Sequence, residues 1–221
     1  MKSTTNLPGA DSELSYWQHF VKTDRFIDGW CSPWKNPDLE FQVADFIRKH
    51  VTIGDLVLDC GSGPVSILNG LLPKSQIATV DPLSKDYREI FDYDLYDIRP
   101  PINQGIEQMT FKELFFIVHM RNALDHCQDP AAGFERMLQA VKPGGYIILQ
   151  GFINDGKHVN YDGLHQWDIE LNEMNQLVVK DKDGIIALVR EEPVYCEKIQ
   201  IETSRDWFIW IEQKIVNSVN E

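Results

Sequence analysis

Positive charge is what this chain lacks most. Lys and Arg number 21 against 34 Asp and Glu, a formal net charge of −13. No run of basic residues offsets that balance, so a phosphate backbone or an anionic membrane surface meets net repulsion, and nucleic acid is disfavoured as a partner. Long apolar runs are missing too. No stretch approaches the roughly 18 residues that a membrane-spanning helix needs, so no membrane insertion is expected. Cysteine is sparse: Cys31, Cys60, Cys127 and Cys196 lie far apart and form neither a CxxC pair nor another recognisable zinc spacing. Reduced thiols in a cytoplasmic protein are the simplest reading. The opening MKSTTNLPGADSE holds neither a signal-peptide core nor an arginine-rich transit segment.

With 221 residues, 43% of them hydrophobic, the chain has enough material for one domain with a substantial core. Residues 1–12 read as a loose polar tail. From Glu13 to Phe26 the apolar positions Leu14, Trp17, Phe20 and Val21 recur at helical spacing, which predicts an amphipathic helix packed on the main domain. Tyr16, Trp17, Trp30 and Trp34 suit a lid over a pocket equally well. The prolines of Trp30–Pro37 demand a turn, and Leu39–His50 returns to helical periodicity. Residues 1–50 are therefore expected to pack on or cap a core formed by residues 51–221.

Alternation sets the fold class. Strands are expected at Leu56–Asp59, Gln76–Val80, Leu114–Met120 and Tyr146–Phe152, with helices near Val65–Leu72 and Ala131–Val141. Strands separated by helices imply parallel crossover units and helices on both faces of one sheet. The last third differs. Trp167–Leu171, Gln176–Lys180, Ile185–Val189, Glu197–Glu202 and Trp207–Lys214 read as short strands, and the last two fit antiparallel strands closing the sheet.

The segment LVLDCGSGPVSIL, Leu56–Leu68, reads as a buried strand, a tight glycine turn and the first turn of a helix. Asp81 ends the next strand 22 positions after Asp59, where an acid can accept hydrogen bonds from ribose hydroxyls. This suits a nucleoside and leaves two cofactor classes open. Nicotinamide enzymes want a third glycine, and that place is Ser66. Asp59-Cys60-Gly61-Ser62-Gly63 instead resembles the first motif of class I S-adenosylmethionine-dependent methyltransferases. VDPLSKDY (Val80–Tyr87), NALDHCQDP (Asn122–Pro130) and VKPGGYIIL (Val141–Leu149) resemble later motifs of that family in the same order.

The resemblance implies a Rossmann-like, seven-stranded, mostly parallel α/β sheet with an antiparallel C-terminal strand. It implies S-adenosyl-L-methionine as cofactor, held by Asp59, Gly61, Ser62, Gly63, Asp81, Pro82, Glu107 and Asn122. NALDH followed by YDGLHQWDI (Tyr161–Ile169) is similar to bacterial methyltransferases of glycoconjugate or surface-polysaccharide synthesis, which implies a sugar hydroxyl or related small-molecule or glycan acceptor. The alternatives are a nicotinamide-dependent oxidoreductase and a methyltransferase-like binding subunit without catalysis.

A sugar hydroxyl is a poor nucleophile at neutral pH, so a base near it would help. His126, just past the expected fourth strand, is the first choice, with Asp125 to orient it. His165 is the second, and with Gln166 and Trp167 it offers a ring, an amide and an aromatic face suited to a sugar. Asp125, His126, His158 and His165 could supply metal donors, but their separation follows no known ligand spacing, and no metal is expected.

Overall fold

The computed structural model describes residues 3, 7–31, 39–191, 193–200 and 205–215. Trp34, with most of the turn expected at Trp30–Pro37, lies outside them, as does the end of the strand expected at Glu197–Glu202.

The buried run Val57–Cys60 forms β1, an interior strand of the main sheet. It pairs in parallel with β2 (Ile77–Val80) on one side and β3 (Phe115–Arg121) on the other. β3 pairs in parallel with β4 (Val141–Phe152), and antiparallel β9 (Asp206–Gln213) and β8 (Tyr195–Gln200) complete the sheet. The order is β2-β1-β3-β4-β9-β8.

Successive side chains feed two cores on opposite faces, as the two-residue period of a strand requires. Val57, Ile117, Ile148 and Ile209 join the first core, and Leu58, Val118, Leu149 and Trp210 join the second. The first face is covered by α1 (Ala10–Phe20), a π-helical turn at Arg25–Trp30 and α2 (Phe41–His50). The second carries α4 (Pro130–Ala140), the next long helix after the single-turn α3 (Ser84–Tyr87). α4 starts where Asp129 accepts the Ala132 N–H at 2.9 Å and Pro130 fills the first turn.

Four expectations are corrected. Among the described residues the main sheet has six strands, not the seven expected. In place of a further strand beside β2 there is a single parallel bridge, Val80 to Ile102. Pro100 and Pro101 precede Ile102 and have no N–H to extend the ladder.

Residues 61–73, all described, form turns and an isolated Asn69–Leu72 bridge where a helix was expected. Pro64, Gly70 and Pro73 punctuate the segment, and the Ser66 hydroxyl takes the Leu68 N–H at 3.1 Å, offering the backbone a non-helical partner. The short strands of the last third also divide. β5 (Asp168–Leu171), β6 (Leu177–Lys180) and β7 (Ile186–Arg190) make a separate antiparallel sheet, which buries Ile169, Leu177 and Val179 in the second core.

The KPGG segment is the start of β4 rather than its prelude. The register against β3 shifts between Phe115 and Ile117 to accommodate it. A last single helical turn, α5 (Asp155–His158), follows β4.

Candidate active site

The carboxyl ends of β1, β2, β3 and β4 open into one cavity of about 1090 Å³, bordered by Asp59, Asp81, Arg121 and Phe152 at the strand tips. Crevices at this end of an open α/β sheet are where such folds bind ligands. All eight residues expected to hold the cofactor border it: Asp59, Gly61, Ser62, Gly63, Asp81, Pro82, Glu107 and Asn122.

The glycine turn is shaped for close approach. Gly61 and Gly63 have φ of +62° and +64°, a region that side chains with a Cβ rarely enter. A Cβ on Gly63 would meet the Trp17 indole at 2.5 Å. Asp81 fixes this turn, accepting the Gly63 N–H at 3.0 Å on one oxygen and the Leu83 N–H at 2.8 Å on the other. Burial pushes its pKa up to about 6 even though these N–H groups pull the other way.

Asp59 faces inward. One oxygen meets His119 Nδ1 at 2.7 Å and the other accepts the Ser66 hydroxyl at 2.5 Å. The Gln150 amide closes the chain at 2.8 Å from His119 Nε2. This network beneath the turn, in which His119 is fully buried, was not anticipated, because 60 residues separate Asp59 from its imidazole. Glu107 is also occupied: its carboxylate accepts the Gln128 and Asp129 N–H groups ahead of α4.

The other end of the cavity is made by loops. Asp125 and His126 stand on a 3₁₀ turn just after β3. His165 comes from the loop preceding β5, and its Nδ1 donates to the Asp125 carboxylate at Oδ2, 2.6 Å away. The same nitrogen lies 3.2 Å from His126 Nε2 and 3.4 Å from Asp155 Oδ2. Arg205 pairs with Asp155 and stacks over Phe152.

His126 and His165 border the cavity, whereas Asp125 is buried behind them. Burial of Asp125 opposes its charge, but the two imidazoles outweigh it and hold the carboxyl below its ordinary value. Burial likewise opposes the charged form of His165, and Asp125 wins there too, raising its pKa.

Gln166 and Trp167 do not border the cavity, contrary to the sequence expectation. Residues 161–167 are turn and coil, with β5 beginning only at Asp168, so strand alternation does not govern where these side chains point. Instead they tether the loop. The Gln166 amide donates to the Tyr161 and Gly163 carbonyls, its backbone N–H donates to the Asp125 carbonyl at 3.0 Å, and Trp167 Nε1 donates to the Cys127 carbonyl at 2.7 Å. His158 forms no part of the cluster.

Sequence reasoning also missed Glu13, Asp155 and Arg205 at the cavity. Glu13 had a usable signal: it lies four residues before Trp17 on one helical face, and accepts its indole N–H at 2.7 Å. Burial raises the thiols of Cys60 and Cys127 well above their ordinary value, and that of Cys31 to about 12.

A parallel sheet with a glycine turn and an acid at adjacent strand tips defines a nucleoside-binding α/β protein. Residues 55–187 match the family model of the methyltransferase domain. This is more than half of the chain, and the protein belongs to that family. An uncharacterized methyltransferase of Schizosaccharomyces pombe is 26% identical over 131 residues, 53% of this chain and 46% of the relative; the chain thus spans about half the length of that relative.

Solved structures share the fold. A SAM-dependent methyltransferase of Methanosarcina mazei has a TM-score of 0.52 at 19% identity, covering 81% of this chain and 99% of its own. The N-methyltransferase NodS of Bradyrhizobium japonicum has 0.53 at 10% identity, with 79% and 96% covered. An S-adenosylmethionine-dependent methyltransferase of Clostridium acetobutylicum has 0.51 at 14%, with 91% and 98% covered.

Proposed function

We propose that this protein is an S-adenosyl-L-methionine-dependent methyltransferase acting on a hydroxyl of a small polar acceptor, a sugar of glycoconjugate synthesis being the reading that the NALDH and GLHQW segments favour. The observation that carries it is the single cavity joining the glycine turn and Asp81 to the Asp125, His126 and His165 cluster. Membership of the methyltransferase-domain family supports the donor and disfavours the nicotinamide alternative.

The residues fit the cofactor. A Cβ on Gly61 would meet the Ala123 Cβ and one on Gly63 the Trp17 indole, each at 2.5 Å, so only glycine holds the turn in this shape at the cavity; Asp81 is buried with acceptor oxygens beside it, and Asn122 and Pro82 continue the wall. When bound, the cofactor supplies an electrophilic methyl group on a sulfonium, whose C–S bond breaks as the acceptor's O–C bond forms, with the electron pair staying on sulfur.

The protein's share is mainly placement and proton removal. His126 and His165 are the groups of the cluster that meet the acceptor hydroxyl, Asp125 positions them from behind, and Asp59 acts through the turn, organised by His119 and Ser66. Residues 1–50 form the cap, and residues 51–221 the methyltransferase domain. Trp17 on Gly63, and Gly9 against the Gly163–Leu164 backbone, support that division, because α1 spans both ends of the cavity.

Incubating the protein with methyl-labelled S-adenosylmethionine and cell extract, then identifying the labelled product, tests the acceptor. A labelled sugar or glycan hydroxyl is expected. Label in protein or nucleic acid overturns the acceptor class, and no label in any fraction overturns catalysis.

A further inference from the structure

We infer that Asp125, His126 and His165 form a binding site for a divalent transition-metal ion, zinc or a similar borderline cation, at the acceptor end of the cavity. The inference rests on the methyltransferase reading for its purpose but not for its geometry.

Three ligand atoms from three side chains converge: Asp125 Oδ2, His126 Nε2 and His165 Nδ1 all lie within 4.8 Å of one another. The individual separations are 2.6, 3.2 and 3.5 Å. A tetrahedral ion with bonds of about 2.0–2.1 Å spaces its ligands about 3.3 Å apart. Two edges of the triangle already have that length, and only the Asp125–His165 edge must open.

Proton chemistry accounts for this arrangement less completely. A neutral His165 that donates its Nδ1 proton to Asp125 has no lone pair left on that atom to accept from His126, so the 3.2 Å contact between the two rings goes unsatisfied. A cation satisfies all three lone pairs at once. Two imidazoles and one carboxylate are the donor set of catalytic zinc, and nitrogen ligands favour the transition metals over magnesium or calcium.

The ligands also have the support that metal sites need. Asp125 is almost fully buried, and the Gln166 N–H and Trp167 Nε1 bonds brace the His165 loop against the turn that carries Asp125 and His126. Asp155, beside His165 and bordering the cavity, lies just outside this triangle. Three protein ligands leave an open position, and His126 and His165 both reach the cavity, so that position is accessible to a ligand oxygen.

An acceptor hydroxyl bound there would be acidified by the ion. Its O–H bond breaks, the proton forms a new O–H bond with the Asp155 carboxylate, and the pair left on the acceptor oxygen becomes the nucleophile. No oxidant or reductant is involved.

Titrating Co²⁺ into the metal-stripped full chain, with S-adenosylhomocysteine affinity measured in parallel, tests the site. One equivalent should bind, give the visible absorption of a four-coordinate cobalt centre, and be displaced by Zn²⁺. His126→Ala and His165→Ala should each weaken cobalt binding by at least tenfold, and His126→Gln, which keeps more of the side-chain volume, should do the same. Unchanged S-adenosylhomocysteine affinity shows that each variant is folded.

Failure of the folded wild type to take up cobalt overturns the site, as does uptake that the histidine variants leave undiminished. The labelled-product experiment is separate. A metal site that survives while the label falls on another acceptor class refutes the acceptor and leaves the ion in place.

Discussion

The two ends of the cavity are built on different principles. At the glycine end the groups sit on adjacent strand tips, and backbone amides or buried side chains already occupy them: Asp81 by two N–H groups, Asp59 by His119 and Ser66. At the histidine end they sit on loops, and their nearest partners are one another. The first end is rigid and specified by backbone conformation, as a site for a constant ligand should be. The second is set by a few tethers, which lets an acceptor site vary without disturbing the sheet.

The largest expected effect comes from breaking the rigid end. Gly63→Ala places a methyl group against the Trp17 indole at a φ of +64°. It should cost about 3 kcal/mol of stability, read from the denaturant midpoint, and more than 100-fold in S-adenosylhomocysteine affinity, read by calorimetry. If the alanine variant binds normally, the close fit of α1 on the turn is not what shapes the site.

Asp81→Ala should weaken the same affinity by more than tenfold. The comparison sharpens with pH, because Asp81 titrates near 6. Its folded pKa lies above the ordinary carboxylate value, so its contribution to the stability of the free protein is complete below that ordinary value and is lost as pH rises through about 6. With Asp81 as the proposed acceptor for ribose hydroxyls, cofactor affinity runs the other way, since the ionised carboxylate is the stronger acceptor.

Glu13 disfavours a second negative charge at Asp81, whereas the Tyr87 hydroxyl hydrogen-bonds the carboxyl and favours its ionised form; burial and Glu13 win, which is why the group titrates near 6. Affinity should therefore fall roughly tenfold from pH 7.5 to pH 5. Asp81→Asn should bind weakly and flatten that dependence. An equally steep curve in the asparagine variant would assign the titration to another group.

How much of this was legible in the sequence follows the same division. Val57–Cys60, Ile77–Val80 and Phe115–Arg121 were readable as strands because apolar runs bounded by turns have few other solutions. The glycine turn and Asp81 were readable because strand tips fix their positions.

Contacts between distant segments were not. Nothing near Asp59 announces His119 as its partner, and periodicity cannot say that Trp17 seats on Gly63. The helix expected at Val65–Leu72 failed where a local signal, Ser66 with Pro64 and Gly70, outweighed an apolar pattern. Of the GLHQW stretch, Leu164 and His165 border the cavity while Gln166 and Trp167 do not. Motif resemblance could not show that this backbone turns before β5 begins and aims the last two side chains away.

Trp167 gives the finest test of that difference. Placed in an acceptor pocket, its indole face would hold the sugar, and Trp167→Phe, which keeps an aromatic face, would raise the acceptor's KM only modestly while leaving the fold intact. In the structure the ring packs against the second core, and its one polar atom holds the Cys127 carbonyl. The phenylalanine variant keeps most of that packing and strands the carbonyl. It should therefore lose about 1 kcal/mol of stability, with S-adenosylhomocysteine affinity changed by less than twofold, since the glycine end is untouched. Because the lost bond braces the turn carrying His126, the cobalt site should loosen slightly while the ligand atoms themselves remain. A rise in KM without any loss of stability would return Trp167 to the acceptor pocket and make the second end more than a tethered loop.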